Sequence, residues 1–67
     1  MQISGRNKLA GTVKKIAISG PVAEVIMDCG GNSVAAVVTA DSVNELGLKE
    51  GDQATALIKA TSVMLMK

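Results

Sequence analysis

Val22-Ala23-Glu24-Val25-Ile26-Met27-Asp28-Cys29-Gly30-Gly31-Asn32-Ser33-Val34-Ala35-Ala36-Val37-Val38-Thr39 is the stretch that decides the fold. Its two arms, Val22 to Cys29 and Ser33 to Thr39, are rich in β-branched and small apolar residues and read as strands. Gly30-Gly31-Asn32 between them tolerates positive φ, as a tight hairpin demands. Side chains alternate across a strand, so Val34, Ala36 and Val38 fall on one face and Ala35 and Val37 on the other. An antiparallel strand with one wet face alternates polar with apolar residues; a strand apolar on both faces is covered on both. In a chain of 67 residues the second cover is expected to be another copy.

Working outward, the segment from Leu9 to Ser19 carries apolar residues at Leu9 and Val13 and then at Ile16 and Ile18. The period-2 phase slips at Lys14-Lys15, which predicts a bulge, and a bulge bends one long first strand so that it serves both halves of a small barrel. Gly20-Pro21 marks the turn into the second strand. Beyond Thr39 the pattern predicts a short helix from Asp41 to Leu46, N-capped by Thr39 or Asp41 and ended by Gly47 in the left-handed conformation. Lys49-Glu50-Gly51-Asp52 is a turn signal. Gln53 to Lys59 follows as a fourth strand, and Val63 to Met66 as a fifth with Val63 and Leu65 on one face. The expected fold is all-β: a five-stranded Greek-key barrel of the OB type with one short helix between strands three and four. Residues 1–67 read as one domain, without internal repeat, low-complexity tract or linker.

A domain this short buries only about 60% of the surface its unfolded chain exposes, so its core needs a supplement. The single cysteine, Cys29, forms no internal disulfide, and a chain with no histidine and no cysteine pair has no zinc constellation. Oligomerisation remains. The apolar content is 48% with no Phe, Trp or Tyr. Aromatic side chains, which bury roughly 150–250 Å² each, normally dominate compact cores. Their absence points to small branched residues packed over many short contacts, including contacts between chains. The net charge of +1, without a run of like charges, gives no broad attraction to nucleic acid or anionic lipid. No apolar stretch approaches the roughly 18 to 20 residues that span a bilayer, and none resembles a signal peptide. The expected location is the cytoplasm, without a membrane partner.

The carboxylates Glu24, Asp28, Asp41, Glu45, Glu50 and Asp52 are scattered, and nothing pairs a nucleophile with a base, so no enzyme activity is expected. Cys29 reads as a small apolar residue at a strand end. Cation binding lacks its clustered carboxylates, thiolates or imidazoles. The informative groups are donors. Ser4-Gly5-Arg6-Asn7 sets a hydroxyl, an accessible backbone N–H, a guanidinium and an amide in succession, and Lys59-Ala60-Thr61-Ser62 adds an ammonium, backbone N–H groups and two hydroxyls. A tetrahedral oxyanion needs such a set to balance its charge and replace its hydration shell. Taken singly, Arg6 and Lys59 read as solvated charges, since such residues are mostly exposed.

The opening Ile3-Ser4-Gly5-Arg6-Asn7-Lys8-Leu9-Ala10-Gly11 resembles the Ser-Ala-Arg-Asn-Gln-Leu-Lys-Gly signature of molbindins (the Mop/TOBE family) and of related molybdate-binding domains in transporter ATPases and regulators. Gly30-Gly31-Asn32, Asp41-Ser42-Val43, Glu45-Leu46-Gly47-Leu48-Lys49-Glu50-Gly51 and Ala56-Leu57-Ile58-Lys59-Ala60-Thr61-Ser62-Val63-Met64 continue the likeness through the chain. The resemblance implies an OB-like barrel assembling as a homohexamer, a trimer of dimers, with molybdate or tungstate bound at subunit interfaces and no organic cofactor. By position it implies a site of Ser4, Gly5 (through its backbone), Arg6, Lys59, Ala60 and Thr61 from one copy, with Thr39 and Ser42 from its partner at the start of the helix. Gly5 stands where the family usually has Ala; the backbone contact survives, but the loop before binding is looser. The implied role is intracellular molybdenum storage or homeostasis.

Two other classes compete. OB barrels often bind single-stranded nucleic acid, but such surfaces stack bases on aromatic side chains within a basic groove, and this chain has neither. A purely structural interaction domain would account for the two-faced strands and for Met64, Leu65 and Met66, since Met fills irregular interface gaps. It accounts less well for Arg6 together with Lys59.

Overall fold

The computed structural model describes residues 7–67. Strand β1 (Asn7–Ser19), β2 (Val22–Cys29) and β3 (Asn32–Thr39) are followed by helix α1 (Ala40–Leu46), β4 (Gln53–Ile58) and a 3-10 turn at Ala60–Ser62. The strands form one antiparallel sheet in the order β3-β2-β1-β4, curled into a half-barrel. No helix among the described residues is long and apolar enough to cross a membrane.

β1 serves two partners. Its first half pairs with β4, from Asn7 opposite Ile58 to Thr12 opposite Gln53, and its second half pairs with β2, ending with Ser19 opposite Val22. Between them the register slips from Val13 to Lys15, the bulge expected from the broken alternation. The loop before β4 bonds to β1 at and just after the bulge. Val13 N–H donates to the Asp52 carbonyl at 2.8 Å, Gly51 N–H donates to the Val13 carbonyl at 2.8 Å, and Ile16 N–H donates to Glu50 Oε2 at 3.4 Å.

The concave face carries the core: Val13, Ala23, Val25, Met27, Cys29 and Val43, with Ile16, Val34, Val38, Leu48, Ala54 and Ala56 packed against it. The hairpin joining β2 to β3 runs through Gly30 and Gly31, both at positive φ. In β3 the two-faced pattern is realised: Val34, Ala36 and Val38 are half-buried, and Ala35 and Val37 are exposed. Gly11 is packed against the end of β2, because a Cβ there would collide with the Asp28 carbonyl and lie 2.7 Å from Cys29 Sγ.

A helix as short as α1 has little stability alone, so its ends and its one buried side chain hold it. Thr39, not Asp41, is the N-cap, its Oγ1 accepting the Ser42 N–H at 3.0 Å. At the other end Gly47 adopts φ 63°, its N–H donating to Asn44 O and the Leu48 N–H to Val43 O, each at 3.1 Å. Val43, 4% exposed, pins the helix to the core.

The expected fifth strand is a correction. Residues 63–66 are in no strand, and Met64, Leu65 and Met66 are 90%, 95% and 96% exposed. The physical reason lies one step earlier: Ser62 N–H to Lys59 O at 2.9 Å and Val63 N–H to Ala60 O at 3.4 Å close a turn that carries the chain off the sheet. Both outer strands, β3 and β4, therefore keep an edge unpaired by any described strand, and within one chain the barrel stays half closed.

Gly11→Ala is expected to lower stability by about 1–3 kcal/mol, the usual cost of overpacking, read from the urea unfolding midpoint. Thr39→Ala, which removes the cap, is expected to cost about 1 kcal/mol in the same measurement, whereas Thr39→Ser retains a capping hydroxyl and most of the stability.

Candidate functional site

The sequence-derived candidates fall into two described groups and one that lies outside the described residues. Ser4, Gly5 and Arg6 belong to the last. Asn7, the first described residue, is registered opposite Ile58, and its side-chain Nδ2 donates to the Ile58 carbonyl at 3.3 Å. The start of β1 is thereby fixed beside the residue that precedes Lys59. The role of Asn7 as a brace went unassigned in the sequence, although it sits within the donor run; only the strand register reveals it.

Lys59 is exposed, in an extended conformation (φ −65°, ψ 140°), and leads into the 3-10 turn. The first internal bond of that turn is made by Ser62, so the N–H groups of Ala60 and Thr61 have no partner within the turn. Ala60 and Thr61 are also exposed, which leaves an ammonium, two backbone donors and the Thr61 hydroxyl on one accessible corner.

The second group stands at the end of β3. Thr39 Oγ1 and Ser42 Oγ are 2.7 Å apart, and the Ser42 N–H donates to Thr39 Oγ1, so the two hydroxyls are fixed relative to each other. Ala40 N–H donates to the Pro21 carbonyl at 2.9 Å, which ties the helix start to the turn between β1 and β2. Asp41 adds the one acidic group of the first turn.

The sheet puts these groups on opposite margins: Thr39 ends β3, and Lys59 follows β4, the two outermost strands. Among the described residues no group of three or more His, Cys, Asp or Glu side chains gathers around a possible metal ion. Cys29 is buried, with Sγ directed at the Leu9 carbonyl at 3.9 Å, and packs as a core residue.

Comparison with known proteins gives a consistent answer. The TOBE domain model matches residues 3–65. The chain is 45% identical over 67 residues to molybdenum-pterin-binding protein 1 of Clostridium pasteurianum, with 98% of each chain covered. It superposes on a molybdate-binding protein from Sporomusa ovata with a TM-score of 0.94, at 48% identity and with 100% of both chains covered. It also matches the cytoplasmic molybdate-binding protein ModG in a molybdate-bound form, with a TM-score of 0.89, 45% identity, and 96% of this chain but 46% of that one covered. The chain belongs to the TOBE domain family and, within it, to the Mop-type molybdenum-pterin and molybdate-binding proteins, which bind rather than catalyse.

Proposed function

We propose that this chain binds molybdate, and tungstate by the same chemistry, at contacts between copies of itself, as a cytoplasmic module for molybdenum storage or homeostasis. One observation carries the reading beyond the family likeness: the two donor groups lie on the outermost strands of a half-open barrel, each beside an edge that no described strand covers. A second copy meets both needs at once.

Residues 63–66 are the natural closing piece. The half-barrel is one strand short of the five-stranded OB arrangement, and its groove of about 840 Å³ is lined by Val25, Met27, Val34, Ala36, Val38 and Leu48 among others. Val63, Met64, Leu65 and Met66 are apolar and exposed in the chain that carries them. Laid between β3 and β4 of a partner, they pair both edges and complete its barrel, and the reciprocal exchange makes a two-fold dimer. A strand antiparallel to β3 starts beside Thr39. The exchange therefore carries Lys59, Ala60 and Thr61 toward Thr39 and Ser42 of the partner.

The proposed site takes Ser4, the Gly5 backbone, Arg6, Lys59, Ala60 and Thr61 from one copy, and the second copy adds Thr39 and Ser42. The pairing of Asn7 with Ile58 supports grouping the opening run with Lys59. Arg6 and Lys59 offset the two negative charges of the anion, while hydroxyl and backbone donors replace its hydration shell. No bond in the ligand changes. Three such dimers make the proposed homohexamer, and ligand held between chains stabilises the assembly by mass action, about 2.7 kcal/mol at a hundredfold excess over Kd.

Calorimetric titration of the assembled protein is expected to give saturable heats with molybdate and tungstate; no molybdate binding would end this reading. Lys59→Ala is expected to leave assembly intact and weaken molybdate binding about ten- to a hundredfold, the usual worth of a charge-assisted hydrogen bond. Leu65→Asp is expected to lower the native mass below that of the hexamer, because a carboxylate cannot enter the groove that Leu65 would fill.

A further inference from the structure

We infer that Lys8 is a further cation of the oxyanion site, its ammonium set beside that of Lys59 on the outer face of the sheet, where it strengthens the hold on a doubly charged anion through its field. The inference rests on the proposed anion reading and adds a residue which that reading does not use.

Strand register places Lys8. It pairs with Leu57 across β1 and β4, between the pairs of Asn7 with Ile58 and of Leu9 with Ala56. Directly paired residues of an antiparallel ladder share a face, and successive residues alternate between faces. Ala56 packs against the core and Ile58 is half-buried, so Leu57, and with it Lys8, stands on the outer face. Lys59 is extended, at φ −65° and ψ 140°, which carries the alternation one residue further and returns its side chain to that face. Lys8 and Lys59 are therefore diagonal neighbours with Cβ atoms about 7–8 Å apart, a gap that two flexible four-carbon stems close. Both side chains are exposed.

Like charges in cross-strand contact destabilise a sheet unless something neutralises them. Among the described residues of β1 and β4, the outer face offers no carboxylate to do so. From Lys8 toward the bulge its positions are Ala10 and Thr12, with Thr55 and Gln53 opposite them. The first carboxylate along the face is Asp28, paired with Thr12, and Thr12 lies about 13 Å along the strand from Lys8. Asp28 is also engaged, since its Oδ1 accepts the Gly31 N–H at 2.9 Å. What adjoins the two ammonium groups instead is the exposed corner of Ala60 and Thr61, with its free backbone donors. An anion held at that corner turns the repulsion into attraction. Each cation attracts a dianion twice as strongly as a monoanion at the same distance, so an added ammonium favours a doubly charged guest and speeds its capture. Lys8 acts here through charge, without having to replace a hydrogen bond.

The test is calorimetric titration of the full chain with molybdate, as wild type, K8R, K8Q and K8E, with K14Q at the bulge as a remote control and the native mass of every sample recorded. Gln stands at this position in the molbindin signature, so K8Q is a substitution the fold accepts. At about 0.05 M salt K8Q is expected to bind about three- to tenfold more weakly than wild type, and K8E to lose about the same factor again. K8R and K14Q are expected to bind as wild type does, all native masses to agree, and the steps to shrink at about 0.5 M salt, where exposed charges are screened. The inference is overturned if K8Q and K8E bind like wild type at low salt, if K8R loses as much as K8Q, if the losses ignore salt, or if K8Q alters the native mass. A wild type that binds molybdate with a flat Lys8 series sinks the role of Lys8 alone, whereas a wild type without molybdate binding sinks the anion reading and this inference with it.

Discussion

One slipped pairing, between Val13 and Lys15, makes this sheet a half-barrel instead of a flat ribbon. A straight strand of thirteen residues flanked by β4 and β2 encloses no volume; bent at Lys14, it turns one partner toward the other. Val13 sits at the bend, 1% exposed, and its N–H and carbonyl both face the side of β4. Buried backbone groups must find partners, and beyond the end of β4 Asp52 and Gly51 supply them. The loop before β4 is therefore not a passive connection. Asp52 accepts from the Lys49 N–H, Glu50 from the Ile16 N–H, and the whole turn is shaped to receive the bulge.

The curl also explains a core without aromatic rings. The neighbouring strand β2 lies so close to Gly11 that there is no room for a Cβ. The residues that fit are Val, Ala, Met and Cys, and the buried set is drawn from these alone. Such side chains bury little area each, so one chain gains a modest core and is left with an apolar groove, two open edges and an apolar segment at residues 63–66.

Much of this was legible in the sequence because each feature has a local cause. The phase slip at Lys14-Lys15, the glycine pair at the hairpin, the capping hydroxyl of Thr39 and the left-handed Gly47 are all decided by neighbours a few residues away. The fifth strand was misplaced for the complementary reason. Val63 to Met66 has the composition of a strand, but a strand also needs an edge, and the turn at Ala60–Ser62 takes these residues away from their own. The candidate site divides in the same way. The hydroxyl pair of Thr39 and Ser42 is a local motif, whereas the brace from Asn7 to Ile58 spans most of the chain and depends on a register that spacing does not encode.

Placing the donors on opposite margins of an incomplete barrel couples two equilibria on the proposed arrangement. A site formed within one chain would bind its anion at any protein concentration. Here Lys59 to Thr61 reach Thr39 and Ser42 only when residues 63–66 pair with another copy, so the anion selects the assembled state and the assembled state preorganises the cage.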